Sequence, residues 1–217
     1  MEGEEQQRHV VVFDVNVYLD VASLLGPPFT WDKASAAAAS VAREPVPHRS
    51  DLAYDSLRAI AACTSGRFAG LEPLEVWTNA HIDKMVRSKA QQPVLPDPQT
   101  GYRGLGWGRN DAQTLVTELI GGLTAQSLGG TLGDTSPDGN PPLDHEDGLV
   151  YGACKWLAGD DPLCAVYCVT RDKGFIAAHS NGSLNKHSYV LAPTRFLLLL
   201  RAARAQYAIQ KTRPGKP

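Results

Sequence analysis

The 217-residue sequence lacks an apolar run long enough to cross a bilayer, which excludes a helical membrane-spanning protein. Its first residues, MEGEEQQRH, are acidic and polar, whereas a secretory signal peptide has a basic start and an apolar stretch. The formal net charge is only −2, so no overall excess of positive charge marks a nucleic-acid-binding protein. We therefore expect a cytoplasmic globular protein that does not associate with a membrane.

Cysteine is scarce, and its spacing does not fit a zinc site. The four cysteines are Cys63, Cys154, Cys164 and Cys168, and the last two lie on one strand pattern. A zinc site needs paired thiolate ligands in loops or knuckles, with a second pair nearby. We expect buried free thiols instead.

Acidic residues are absent after Asp172, although eight lysines and arginines follow it. Such asymmetry is typical of a protein with an anionic partner such as nucleic acid. A solvated helix face followed by a basic tail gives the same pattern. The sequence leaves both interpretations open.

Apolar runs alternate with helical patterns along the chain, and this order predicts an α/β fold. A mainly parallel sheet of about four to five strands, flanked by helices, follows from the right-handed crossovers that such units adopt. We interpret residues 1–217 as a single domain. The strand patterns lie at 9–13, 71–78, 165–170 and 187–191.

Three aspartates stand where the predicted sheet brings them together. Asp14 and Asp172 follow apolar strands, and Asp147 opens an amphipathic helix. Sites in open α/β sheets form outside the carboxyl ends of the strands. Converging carboxylates repel one another unless a hard cation lies between them, and oxygen ligands suit Mg²⁺ or Mn²⁺ rather than zinc. The alternative is that each acid is only a helix cap or a turn residue.

Four segments together resemble the PIN-domain ribonucleases, a family that includes many toxin nucleases of toxin–antitoxin pairs. They are FDVNVYLD, LDHEDGLVYGACKWL, YCVTRDKGFI and HSYVLAPTRFLLLL, and they follow one another in the family's order. The resemblance implies a three-layer PIN-like fold and Mg²⁺- or Mn²⁺-dependent hydrolysis of RNA. It also implies an antitoxin protein as partner and a homodimer. Segments near 26–72, 91–109 and 129–142 are insertions that the resemblance does not explain.

The resemblance assigns roles to five residues. Asp14, Asp147 and Asp172 become the catalytic, metal-binding carboxylates. Asn16 orients the first turn, and Thr170 forms a hydrogen bond within the carboxylate shell.

Two further acids have roles that stay open. Asp144 matches an acid that some relatives carry one helical turn before the main one, and it equally fits a helix N-cap. The family usually has a glutamate on the helix after the second strand, where this chain offers only Asp83. Asp83 is therefore either a fourth catalytic carboxylate or an exposed helical acid. Gly174 stands where relatives often carry another acid, so we expect one firmly held metal.

Arg171 and Lys173 flank Asp172, and we predict that they bind RNA phosphates, because a nest of carboxylates repels a polyanion. Two rival functions remain. One is a non-catalytic PIN-like module that binds nucleic acid or protein, which the missing glutamate permits. The other is a metal-dependent phosphatase, although Asn16 stands where phosphatases of the haloacid-dehalogenase type need an acid.

Overall fold

The structure is a computed structural model that describes residues 7–43, 52–95 and 103–212. Six strands in these ranges form one mixed, mostly parallel sheet flanked by helices, which confirms the α/β class and exceeds the four to five strands expected. The strands are β1 (Arg8–Phe13), β2 (Arg67–Phe68), β3 (Glu72–Asn79), β4 (Gly130–Leu132), β5 (Cys164–Val169) and β6 (Tyr189–Leu191). The helices are α1 (Val15–Leu25), α2 (Trp31–Arg43), α3 (Leu52–Cys63), α4 (Ala80–Gln91), α5 (Arg109–Leu115), α6 (Gly121–Gln126), α7 (His145–Ala158), α8 (Lys173–Ser180) and α9 (Pro193–Thr212), with a π-helical turn (Val116–Ile120) between α5 and α6.

The strand order is β2-β3-β1-β5-β6, and β4 pairs with β3 beside β2. All pairings are parallel except that of β2 with β3. β1 lies at the centre with a parallel neighbour on each side, which explains its continuous apolar sequence. Its residues 10–13 are fully buried.

Two short strands were not predicted, and both pair with the outer edge of β3. α3 ends at Cys63, and Gly66, with φ 61°, turns the chain into β2. β4 lies in the segment near 129–142, one of the expected insertions. It approaches β3 closely because Gly129 has no side chain: a Cβ there would stand 1.7 Å from the carbonyl oxygen of Val76.

The buried apolar side chains form one hydrophobic cluster around the central strands. All four cysteines are free thiols, and Cys63, Cys154 and Cys168 are buried in this cluster, as the sequence predicted, while Cys164 is half-buried. Parts of two predicted insertions, 44–51 and 96–102, lie outside the described residues. None of the helices within the described ranges has both the length and the apolar character of a membrane span.

The connections diverge at the centre of the sheet. The chain leaves β1 through α1 and goes to β3 on one side, whereas it leaves β5 through α8 and goes to β6 on the other. β1 and β5 are neighbours, so a crevice opens between their carboxyl ends. In open α/β sheets this topological switch point is where ligands bind.

The segment before α7 packs directly against that helix. A Cβ added at Gly152 would stand 1.9 Å from the backbone oxygen of Ser136 and 3.5 Å from the nitrogen of Asp138. The absence of a side chain at Gly152 therefore allows residues 136–138 to lie on the helix. This contact fixes one wall of the region around α7.

We expect Gly152→Ala to destabilise the protein by about 1–3 kcal/mol, the usual cost of overpacking. The clash with backbone atoms outweighs the roughly 1 kcal/mol that alanine gains over glycine in a helix. Gly121→Ala in α6 is the matched control, because its added Cβ meets nothing closer than 3.8 Å. Urea unfolding measures both, and a Gly152→Ala protein as stable as the control contradicts the packing.

Candidate active site

Asp14 is buried at the end of β1, and three groups donate hydrogen bonds to its carboxylate. The Thr170 hydroxyl donates to Oδ2 at 2.6 Å, and the Asn16 amide donates to the same oxygen at 2.5 Å. The Val15 backbone N–H donates to Oδ1 at 2.6 Å and makes Asp14 the N-cap of α1. Because Thr170 directly follows β5, the carboxylate joins the ends of two neighbouring strands.

A second set of hydrogen bonds orders the chain after β5. The Arg171 backbone N–H donates to Oδ1 of Asn16 at 3.0 Å, and the Asp172 N–H donates to the Thr170 hydroxyl at 2.9 Å. Asn16 and Thr170 therefore lie beside Asp14 and between the two strand ends. They fix the direction in which the chain reaches Asp172.

Four aspartates line one cleft of about 150 Å³ at the switch point: Asp14, Asp144, Asp147 and Asp172. Asp144 caps α7 by accepting from the Asp147 N–H at 2.8 Å, so it is both a cap and a cleft residue. Asp172 caps α8 in the same manner through the Phe175 N–H. The helix-cap interpretation and the site interpretation of these acids are therefore compatible.

The electrostatics of the cleft are those of crowded carboxylates. Burial raises the pKa of Asp147 to about 7, with further contributions from the charges of Asp14, Asp144 and Asp172. Burial also raises the pKa of Asp14, while the hydrogen bonds from Thr170 and from the Val15 backbone oppose that rise. The charges of the other aspartates thus affect the pKa of Asp147 across the cleft.

The chemistry of this donor set fits a hard divalent cation. Carboxylate oxygen is the ligand type that Mg²⁺ and Mn²⁺ prefer, and a cation would relieve the repulsion felt by Asp147. The side chains are not gathered tightly around one point: within the described ranges, no three His, Cys, Asp or Glu side chains form a group that could hold a metal ion. The cleft has donors of the right chemical type, but in the described ranges they are not arranged around one point.

The structure does not bring Asp83 to the cleft. The Thr78 hydroxyl donates to Asp83 Oδ1 at 2.9 Å, and the cleft lining found among the described residues includes His81 and Lys89 from α4 but not Asp83. The physical reason is helix phase, because two residues along α4 rotate Asp83 about 200° away from His81. The same phase places three apolar side chains of α4 in the core: Ile82, Val86 and Ala90.

Sequence reasoning missed three residues that line the cleft: His81, Lys89 and Glu146. Lys89 donates to Glu146 Oε2 at 3.2 Å and so connects α4 to α7. The Nε2 atom of His81 is buried and has no hydrogen-bond partner among the described residues. The spacing of eight residues between His81 and Lys89 could have identified both, because it puts them on one face of α4.

The two predicted RNA-binding cations have different surroundings. The guanidinium of Arg171 forms an ion pair of 2.5 Å with Asp20, and Asp20 also accepts from the Ser56 hydroxyl at 2.6 Å. Arg171 thereby stabilises the packing of α1, a role that the sequence-based prediction did not include. Lys173 is exposed at the first position of α8 and stays a predicted phosphate contact.

The cleft continues into shallow grooves on two sides. The α8 groove, about 430 Å³, shares Asp144, Asp147 and Asp172 with the cleft. The α4–α7 groove, about 460 Å³, shares His81 and Glu146 with it. Residues that line the cleft thus also line two larger neighbouring grooves.

Comparisons with protein-family models, with curated proteins and with solved structures found no match. The resemblance to PIN-domain ribonucleases accordingly stays a prediction. The function is argued from the residues of the cleft.

We expect Asp147→Asn to stabilise the metal-free protein at pH 8 and to have little effect near pH 4. A carboxyl whose folded pKa is raised costs stability as pH rises from its ordinary value near 4 through about 7, and the amide removes that cost. After discounting for solvent screening, we expect a Tm increase of about 2–4 °C at pH 8.

Asp160→Asn is the control for this measurement, because Asp160 is exposed beyond the end of α7. Differential scanning calorimetry in the presence of a chelator, from pH 4 to pH 8, measures both variants. A stabilisation by Asp147→Asn that is independent of pH, or equal to that of the control, contradicts the electrostatic account.

Proposed function

We propose that the protein is a divalent-metal-dependent ribonuclease with a PIN-like arrangement of its catalytic carboxylates. The observation that carries the proposal is the convergence of Asp14, Asp147 and Asp172 in one cleft at the topological switch point. These residues come from three distant parts of the chain. Helix capping accounts for Asp14 and Asp172, but it accounts neither for Asp147 nor for the three residues sharing one cleft.

In this proposal Asp14, Asp147 and Asp172 hold the cation, with Asp144 as a further ligand. A bound ion would activate a water and would neutralise charge that develops on the phosphate. Thr170 and Asn16 keep the Asp14 carboxylate in one orientation through the hydrogen bonds at 2.6 and 2.5 Å. In hydrolysis the water oxygen would bond to phosphorus, the bond to the leaving ribose oxygen would break, and that oxygen would receive the proton that the water loses.

The open shape of the site favours an internal phosphodiester over a small phosphomonoester. The α8 groove and the α4–α7 groove each share lining residues with the cleft, so a chain has room beyond the bond to be cut. A further groove of about 520 Å³ borders α7 near Trp156, which is 65% exposed. Such an aromatic surface suits stacking of an unpaired base.

RNA as the polymer, an antitoxin partner, a homodimer and a toxin role rest on the sequence resemblance. The cleft itself argues for a phosphodiester and a cation. A non-catalytic PIN-like binding module is the second candidate function. It is supported by Lys89, which lies on α4 and pairs with Glu146 inside the cleft. PIN-domain ribonucleases usually carry a glutamate on this helix, and here the side chain that α4 pairs with Glu146 is basic.

Cleavage assays separate these functions. We expect the protein to cut internal bonds of a single-stranded RNA in Mg²⁺ or Mn²⁺, to be inactive with EDTA, and to leave p-nitrophenyl phosphate intact. Hydrolysis of the monoester alone would identify a phosphatase. Metal-independent RNA binding without cleavage would identify a binding module.

We expect Asp14→Asn to lower the rate of RNA cleavage by at least about 100-fold while the fold is kept, because the amide is isosteric but carries no charge for a cation. Asp83→Asn is the matched control, since it makes the same chemical change on a residue outside the cleft. We expect its rate to stay within about threefold of the wild type. Single-turnover cleavage of a labelled RNA measures both.

An equal loss of cleavage rate in the two variants would mean that Asp83 is a fourth catalytic carboxylate. Wild-type cleavage by Asp14→Asn would remove the cleft from the reaction. Circular dichroism of both variants shows whether a loss of activity reflects unfolding.

A further inference from the structure

Helix α4 contributes a lysine to the acidic cleft. Lys89 lines the cleft together with Asp14, and its side chain is only 23% exposed. Its ammonium donates to Glu146 Oε2 at 3.2 Å, and its charge opposes the rise that burial causes in the pKa of Asp14. A positive side chain thus stands among the residues that the proposed function assigns to a cation.

The charge balance of the cleft explains what this ammonium does. Five carboxylates line the cleft, and Lys89 and His81 are the two basic side chains among its described lining residues. Burial lowers the pKa of the His81 imidazole and so favours its neutral form. Lys89 is therefore the main counter-charge that the protein itself provides there.

A lysine is well suited to a position that must be vacated. Its ammonium is a compact point charge on a flexible four-carbon stem, so it can neutralise carboxylates without fixing them in one geometry. This agrees with the absence, within the described ranges, of three acids grouped as metal ligands. Glu146 is 50% exposed in its side chain, so the ammonium has a path toward solvent along it.

We propose that Lys89 is an internal counter-cation that competes with the divalent ion for the cleft. When the ion enters, the ammonium moves outward with Glu146, and when the ion leaves, it returns toward Asp14. The affinity for the ion is then lower than the carboxylates alone would give. This inference rests on the proposed function, since it requires that the cleft accept a divalent ion.

A purely structural role makes a different prediction. If Lys89 only fastened α4 to α7 through Glu146, replacing it would lower stability and leave the affinity for the ion unchanged or weaker. If Lys89 competes with the ion, replacing it has the opposite effect on ion binding. The stability of the metal-free protein falls, but the affinity for the ion rises.

The experiment measures Mn²⁺ binding to the full chain by isothermal titration calorimetry, and Tm with and without Mn²⁺. We expect Lys89→Met to lower the Kd for Mn²⁺ by about tenfold, to lower the Tm of the metal-free protein, and to increase the rise in Tm that Mn²⁺ produces. Lys89→Arg retains the charge and should bind Mn²⁺ with an affinity close to that of the wild type. Lys89→Gln serves if the methionine variant does not fold.

Lys84→Met is the matched control. Lys84 lies on the same helix and lines the α4–α7 groove but not the cleft. Its replacement therefore changes the net charge equally without removing a charge from the cleft. We expect its Kd for Mn²⁺ to stay within twofold of the wild-type value. An equal gain in affinity for both lysine variants would mean that overall charge is responsible, and the competitor role would be overturned.

Two further results distinguish this inference from the proposed function. If the wild type binds Mn²⁺ and Lys89→Met binds it no more tightly, Lys89 is not a competitor, but the metal-dependent function stands. If neither protein binds Mn²⁺, both the competitor role and the metal-dependent function are refuted.

Discussion

The hydrogen bond from the Thr170 hydroxyl to the buried Asp14 carboxylate is the interaction on which the rest of the site depends. It connects the carboxyl ends of β1 and β5, two parallel strands whose chains leave in opposite directions. Hydrogen bonds to charged groups contribute about 1.5–3 kcal/mol and are costly to leave unmade when buried. The bond therefore offsets part of the cost of burying Asp14 and holds the strand end from which the chain reaches Asp172.

Two basic side chains of this region have different partners. Arg171 pairs with Asp20 of α1, and neither residue is part of the cleft lining found among the described residues. Lys89 of α4 lines the cleft together with the clustered acids. Five carboxylates and one lysine line this cleft, so its formal charges do not balance. Burial raises the pKa of Asp147, and the charges of the neighbouring carboxylates raise it further.

The sequence predicted those parts of the molecule that depend on local pattern. The buried central strand and the free thiols follow from an apolar run and from the cysteine spacing. The structure brings together Asp14, Asp147 and Asp172 because each stands at a strand or helix terminus, and termini on one sheet edge converge.

The remainder depends on contacts between distant residues. β2 and β4 are two and three residues long, too short to show an alternating pattern, and exist through pairing with β3. The pairing of Arg171 with Asp20 spans 151 residues, so the neighbourhood of Arg171 in the sequence does not reveal it. The apolar residues of α4 indicate which face of the helix is buried. That orientation brings Lys89, and not Asp83, to the cleft, whereas the prediction considered only the acidic residue.

The separation of 156 residues between Asp14 and Thr170 has a consequence for the newly made protein. Chains emerge from the ribosome amino end first, and β1 has its position in the sheet completed only when β5 pairs with it. Until the chain has been synthesised as far as β5, the acids that form the cleft are not yet assembled. The topology itself therefore delays formation of the cleft until β5 has left the ribosome and paired with β1.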